Sequence, residues 1–392
     1  MASSRRAQMN FSGLGGLFFF PIFMREVSSI KPNRTSFSVL LLVMLSLWLM
    51  GFSLFSPDVA AASAVRALSL CAGSVVPSLA VFVIGAKILI KTGFCEKLAS
   101  SPIRRLCPYL GMSCAGFTVF LIGLVSGFPM GAVTASELVR RGSMTKEEAR
   151  ALMPFCNNAG PAFVIGTVGA AFFGSVRIGG ALFAAQTAAS VTAVLLTAKK
   201  RRAVVFFSAT AASASSPQTK EGAAARIVAS SVAEGAAALL SVCGFVVFFS
   251  VLSDSLLSAF LAVRWEIPSV FSAALRGLLE ISGGFAALGA VRELSQPVLF
   301  ALSGLMLGFG GLSVWMQAAD RASSADISLT GYLTGKGLCA LLCAFFAVLF
   351  GAPPWKIPAA FAVILVIFLG LSAFFAVNYI KNQGFFKKRV EK

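Results

Sequence analysis

Two amides, Asn157 and Asn158, stand side by side within an apolar run and are followed at once by Gly160 and Pro161. Paired amides offer donors and acceptors without charge. Glycine and proline beside them free backbone groups that can also coordinate a ligand. The competing reading is that these amides hold one helix to another. A second polar stretch, Glu280-Ile-Ser-Gly-Gly284, places a carboxylate, the Ser282 hydroxyl and paired glycines in another apolar run. Close helix packing would explain the glycines but leaves the carboxylate unexplained. Three basic residues, Lys87, Arg276 and Lys336, also fall inside apolar runs. A charge at membrane depth costs about 3 kcal/mol or more, so its default reading is functional. Lys87 lies near the end of its run and can snorkel. Arg276 precedes Glu280 by one helical turn and can pair with it on one face. Lys336, in Thr334-Gly-Lys-Gly337, is left to face a solute.

Two glycine-broken runs frame these groups. Gly123-Leu-Val-Ser-Gly-Phe-Pro-Met-Gly131 holds Gly127, Phe128, Pro129 and Gly131. A weaker copy, Gly304-Leu-Met-Leu-Gly-Phe-Gly-Gly-Leu312, holds Gly308, Gly310 and Gly311 and runs into Ser313. Irregular backbone at membrane depth is tolerated only where protein or a water-filled cavity satisfies its polar groups. Phe128, Pro129, Gly131, Gly310 and Gly311 are therefore expected to shape and gate a cavity. Asn157, Asn158, Gly160, Glu280, Ser282, Lys336, Gly127, Gly308 and Ser313 are expected to contact the solute. The amide pair and the Glu280 stretch have no counterparts in the other half, as suits one asymmetric site.

Of 392 residues, 57% are hydrophobic and 12% charged, which excludes an ordinary soluble domain. Apolar runs of about twenty residues predict membrane helices, since a barrel would alternate in shorter strands. The net charge of +18 sits in short loops between those runs, which argues for topology and a lipid surface over nucleic acid. The eight cysteines are scattered without a C-x-x-C, and there is no histidine. Buried packing is then the expected cysteine role, with no metal site or cofactor. No catalytic or phosphate-binding motif is present, so an enzyme is not expected.

The elements that must position these groups follow in order. Residues 1–36 read as a basic cytoplasmic tail, because the apolar stretch Gly15–Phe23 is too short to span. A first membrane repeat covers 37–198, a basic and then Ala/Ser-rich linker 199–222, a second repeat 223–380, and a basic tail 381–392. Thr145-Lys-Glu-Glu148 has capping-box spacing, so a helix starts near Lys146. The fold class is thus an all-α polytopic membrane protein of two tandem repeats. Each has about four transmembrane helices and one re-entrant or broken helical hairpin. Aligning the repeats pairs Gly123 with Gly304 and Gly127 with Gly308. If the runs at 113–135 and 297–318 are both re-entrant, most of the 33 lysines and arginines share one side with both termini. Arg66, Arg177, Arg264 and Lys356 then face the other, as the positive-inside rule favours. The rival is ten full spans in two inverted repeats.

At these residues the chain resembles the sporulation integral membrane proteins called YlbJ. The resemblance is carried by Val76-Pro-Ser-Leu79, Gly123–Gly131, Phe155-Cys-Asn-Asn-Ala-Gly-Pro161, Gly166-Thr-Val-Gly169, Leu279-Glu-Ile-Ser-Gly283 and Gly308-Phe-Gly-Gly-Leu-Ser313. More distantly the pattern looks like the nucleoside-recognition or gate domain of nucleoside transporters and spore maturation proteins. The resemblance implies a multi-pass protein of the outer forespore membrane of endospore formers, moving dipicolinate out of the mother cell. Other sporulation membrane proteins, or further copies of this chain, would be its partners. A nucleoside or other small solute, and a non-transporting scaffold of a sporulation complex, are the alternatives. Polar groups in several broken spans favour transport, because a scaffold needs no hydrated interior.

Overall fold

The structure is a computed structural model that describes residues 34–94, 105–208, 223–262, 267–291 and 294–351. The end of the expected second repeat from residue 352, both terminal tails up to residue 33 and from 381, and most of the linker lie outside the described residues. Those that are described are almost wholly helical, with no strand among them. Five helices are long and apolar enough to cross a membrane. The all-α membrane class expected from the sequence is therefore what the chain adopts.

Helix α1, Arg34–Phe55, belongs to a unit of its own. Its apolar side chains, Leu41, Leu54 and Phe55 among them, are exposed, as on a helix surrounded by lipid. The remaining helices form one compact unit. They are α2 (Pro57–Lys91), α3 (Cys114–Ser126), α4 (Met130–Arg140), α5 (Lys146–Cys156), α6 (Ala162–Phe172), α7 (Val176–Ser208) and α8 (Ala223–Ala262). There follow α9 (Ser269–Leu279), α10 (Ile281–Ala290), α11 (Gln296–Phe309), α12 (Gly311–Ser323) and α13 (Tyr332–Gly351).

Long helices α2 and α8 run antiparallel. Lys91 reaches Ser230 at 2.7 Å, Lys87 reaches Glu234 at 3.0 Å, and Arg66 reaches Asp254 at 2.7 Å. Lys87 thus pairs with a carboxylate at the helix end instead of facing a solute. Helix α2 carries a π-helical stretch, Cys71–Val75, and α6 is π-helical throughout. The two distortions meet where the Ser74 and Thr167 hydroxyls approach to 2.5 Å. Such local distortion leaves backbone groups to be satisfied from outside and recurs where helices must bend around a site.

Between α3 and α4 the chain doubles back. A Cβ on Gly123 or on Gly131 would collide with the same carbonyl, that of Cys156, so the two arms converge on α5. Gly127 turns the tip at φ 78°, and the Phe128–Pro129 bond is cis. At the base, Ser113 caps α3 by accepting from Gly116 N at 3.0 Å, and its own N–H donates to Glu148 Oε1 at 2.7 Å. Thr145 caps α5 as its spacing predicts, accepting from Glu148 N at 3.3 Å. The reciprocal half of the box is diverted, because the Glu148 carboxylate ties down the hairpin base instead.

Helix α5 ends soon after Pro154, and α6 resumes beyond Gly160, so α5 and α6 together cross the unit as a broken helix. Helix α7 returns beside them. Ser190 donates to Asn158, Gln186 bonds both backbone groups of Ala159, and Gly179 lies against Gly169.

The second half departs from the alignment drawn from sequence. Gly284 packs on Gly277 so closely that a Cβ would strike its backbone, which folds α9 and α10 into a hairpin with Glu280 at the tip. This hairpin enters from the end opposite the first, since Gly289 on its second arm abuts the carbonyl of Phe172 at the end of α6. By contrast α11 and α12 run on as one apolar path, Gln296–Ser323, broken only at Gly310 and Gly311. Both glycines have positive φ, 85° and 84°, which side chains resist. Helix α13 returns antiparallel to α11, with Gly304 against Ala344 and Gly308 against Ala340.

The run at 297–318, expected to be re-entrant, is therefore a broken crossing helix, and the segment 268–290 before it is the hairpin. Hairpin, broken helix and straight helix occur in that order twice, entering from opposite ends. The order puts α3–α4 opposite α9–α10 and α5–α6 opposite α11–α12. Gly123 and Gly304 are not equivalent.

One end of the unit carries the positive charge: Lys91, Arg140, Arg141, Lys146, Arg201, Arg202 and Arg321. Arg201 is buried and donates to the carbonyls of Leu110, Gly111 and Val194. The ends of α4 and α12 meet there, Ser136 donating to the Arg321 carbonyl at 2.8 Å. Lys146 also meets Asp326 at 2.6 Å, which holds that exposed carboxyl below its ordinary value. The cysteines among the described residues are mostly buried, as expected.

Candidate functional site

The two hairpin tips and the two helix breaks converge at the centre of this unit. Gly127 at the first tip packs directly on Gly160 in the first break; a Cβ on Gly160 would lie 3.2 Å from Gly127 N. Gly311 in the second break sits against the second tip; its Cβ would lie 3.2 Å from the Gly277 carbonyl and 3.4 Å from Ile281 N. The sequence places glycine at both junctions because backbone meets backbone there.

A narrow crevice runs between these parts. It is bounded by Val75, Leu79, Phe128, Phe163, Val242, Val246 and Val314 on its apolar side, and by Gly160, Glu280, Ser282 and Gln317 on its polar side. Its free volume is about 10 Å³, room for roughly one water. No solute larger than that fits there.

The predicted residues divide into groups. Glu280 is buried and caps α10, its two oxygens accepting from Ser282 N at 2.9 Å and Gly283 N at 2.6 Å. The expected Arg276–Glu280 pair is not made, because the break at Glu280 turns its side chain back onto its own helix. Arg276 instead joins Asp254 of α8. Phe128 and Phe163 face each other with ring centroids 6.3 Å apart at the crevice wall. Pro129 starts α4, and Gly131 is taken up by contact with α5.

The neighbouring amides have different environments. Asn158 is fully engaged, donating to the Phe155 carbonyl at 2.7 Å and accepting from Ser190 at 3.1 Å. It secures the break and does not line the crevice, so its expected solute contact gives way to a structural bond network. Asn157 donates to Tyr332 Oη at 2.9 Å, while its buried Oδ1 has no partner among the described residues. Its backbone carbonyl accepts from Lys336 Nζ at 2.9 Å.

Lys336 is 1% exposed, and no carboxylate pairs with it among the described residues. Its stem passes behind Gly310, on which a Cβ would lie 3.7 Å from Lys336 Cε and 3.5 Å from Val314. Val314 lines the crevice, so Lys336 is one layer away from it. Gly308 does not reach the centre at all: it is where α11 packs on α13, and its expected solute contact is corrected to helix packing. Ser313 is buried and accepts from Gln317 Nε2 at 3.2 Å, and Gln317 Oε1 has no partner among the described residues.

Sequence reasoning missed Gln317, Tyr332 and Asp254. Asp254 carried a usable signal, a lone acid in the run Phe245–Ala262. Tyr332 and Gln317 carried none, since neither type is unusual near the end of a membrane helix.

Chemically, the centre offers helix ends of both signs. Four helices begin there (α4, α6, α10 and α12) and four end there (α3, α5, α9 and α11). Their partial charges largely offset. Side chains then decide the balance: Glu280 satisfies one N-terminus, and Lys336 satisfies the C-terminal carbonyl of α5. No family model matches the chain, no curated protein matches it, and no solved structure matches its fold.

Proposed function

We propose that this chain is a membrane transporter for a small anionic metabolite, with Lys336 supplying the charge that attracts it. The observation that carries this reading is a fully buried lysine that, among the described residues, has no carboxylate partner and bonds the backbone of Asn157, whose Oδ1 has no hydrogen-bond partner among them either. An unpaired charge in such a place costs about 3 kcal/mol or more on the insertion scale, unless something offsets it. An anion held in an open conformation would do so, and Asn157 and Gln317 would supply its hydrogen bonds. Glycine junctions at both tips permit the movement that brings Lys336 into the crevice, because no side chain interlocks there. The resemblance noted above supplies the choice of dipicolinate, a rigid planar dianion, and of export from the mother cell across the outer forespore membrane.

A nucleoside-type solute is the second reading. It is favoured by the crevice wall itself, where Phe128 and Phe163 face Glu280, Ser282 and Gln317. Aromatic faces with a carboxylate and an amide suit a flat neutral ring with donors on its edge.

Uptake by vesicles containing only this protein separates the two. Labelled dipicolinate should accumulate above empty vesicles and unlabelled dicarboxylates should compete, while a nucleoside does neither. Lys336→Ala should lower uptake at least tenfold with the protein still inserted. Nucleoside uptake unaffected by Lys336→Ala would replace the anion reading with the second. No uptake of either solute would overturn transport.

A further inference from the structure

Away from the centre, one carboxylate is shared by two arginines. Asp254 of α8 is nearly buried, its side chain 6% exposed. One oxygen meets Arg66 of α2 at 2.7 Å, and the other meets Arg276 of α9. The cluster has one positive charge in excess and lies within three apolar helices. A structural ion pair needs only one arginine, so the second is surplus on that account. Neither guanidinium makes a further hydrogen bond or ion pair among the described residues, and their side chains are 62% and 28% exposed. Position matters as well. Arg276 lies one turn before Glu280, and its carbonyl accepts from Glu280 N at 2.6 Å. The cluster therefore stands beside the tip of the second hairpin, on the way from the crevice to the end opposite Arg140.

We infer that Arg66 and Arg276 form a second anion station on the solute's path, in which Asp254 occupies the place of a solute carboxylate while the second hairpin is closed. A guanidinium binds a carboxylate through two parallel N–H bonds, and two guanidiniums on separate helices suit a dicarboxylate. When the hairpin moves, Arg276 moves with it and leaves Asp254. An arriving carboxylate then takes the vacated donors. The station uses only exchange of ion pairs, with no covalent step. This inference rests on the anion-transport reading for its solute, but its test reads binding and not transport.

The test measures equilibrium binding of pyridine-2,6-dicarboxylate to the purified full-length protein, with pyridine as the neutral control. Asp254→Asn removes the internal competitor and keeps the shape, so affinity should rise about fivefold or more. Arg66→Gln should lower affinity about fivefold; Arg66 is the more exposed arginine, which keeps this variant folded. Lys336→Ala should weaken binding in both the wild type and the Asp254→Asn background. Were Asp254→Asn to leave affinity unchanged or lower it in a protein that melts as the wild type does, the cluster would be a structural ion pair and the station would be wrong. Absence of binding in both wild type and Asp254→Asn would overturn it too. Tighter binding by Asp254→Asn without vesicle uptake by any variant would sustain the station and sink the transport reading.

Discussion

At the scale of single residues, the centre is held by contacts that leave no room for side chains. Gly123 and Gly131 both face the Cys156 carbonyl, and a backbone carbonyl at a helix end cannot move aside as a side chain would. Overpacking of this kind costs about 1–3 kcal/mol, and a fixed obstacle puts these sites at the upper end. Gly166 has nothing within 4 Å of a Cβ. Gly123→Ala and Gly131→Ala should therefore lower the melting temperature in detergent, whereas Gly166→Ala should leave it unchanged. Equal melting of all three would show that the hairpin does not lie against α5. The same reasoning separates the amides. Asn158→Ala strands the Phe155 carbonyl and the Ser190 hydroxyl in the interior, at about 1–3 kcal/mol each. Asn157 already has an unsatisfied oxygen, so its replacement costs less stability and bears more on the solute.

At the scale of elements, the exchange of hairpin and span in the second half has one sharp consequence. Glu147 at the start of α5 and Ser295 before α11 are both exposed. With α9–α10 as the hairpin they lie at opposite ends of the unit. With α11–α12 as the hairpin they would share an end. Single cysteines at Glu147 and Ser295, in a cysteine-free chain, should react with an impermeant maleimide from opposite faces of the membrane. Labelling of both from one face would restore the arrangement expected from the sequence.

The reason that expectation went astray is physical. Moving the fold-back from 297–318 to 268–290 leaves every later segment on the same side. Only the connection between Ala290 and Gln296 changes ends, and it carries a single arginine. A charge count cannot resolve so small a difference. The glycine pattern misled for a related reason. Gly123 lets a hairpin arm approach a carbonyl, and Gly304 lets α11 approach Ala344, so one residue type answers two needs. Legible from sequence were the breaks themselves, at Gly127, Asn157, Glu280 and Gly310, because irregular backbone requires those residue types. Not legible was which pieces fold back, since that depends on contacts between distant segments such as Gly289 with Phe172.

At the scale of the whole molecule, the crevice holds about one water, so any solute larger than that requires the parts around it to separate. The two hairpins enter from opposite ends, so on the transport reading each is the gate for its own end. At the basic end the second arm α4 is fastened to α12: Ser136 bonds the Arg321 carbonyl, and Arg140 reaches Ser324 at 3.3 Å. The Arg140–Ser324 contact is exposed and contributes little stability, so on the transport reading the fastening breaks within the cycle. Opening toward that end must lift α4 from α12. Arg140→Cys and Ser324→Cys, bridged by a short reducible bifunctional thiol reagent, should then arrest uptake. Dithiothreitol should restore it, and either single variant treated with the reagent should transport normally. Because the bridge lies beyond the crevice, equilibrium binding from the opposite end should persist while the protein is arrested. Uptake at an undiminished rate in the bridged protein would mean that α4 stays with α12 throughout the cycle, and that the basic end opens between other elements.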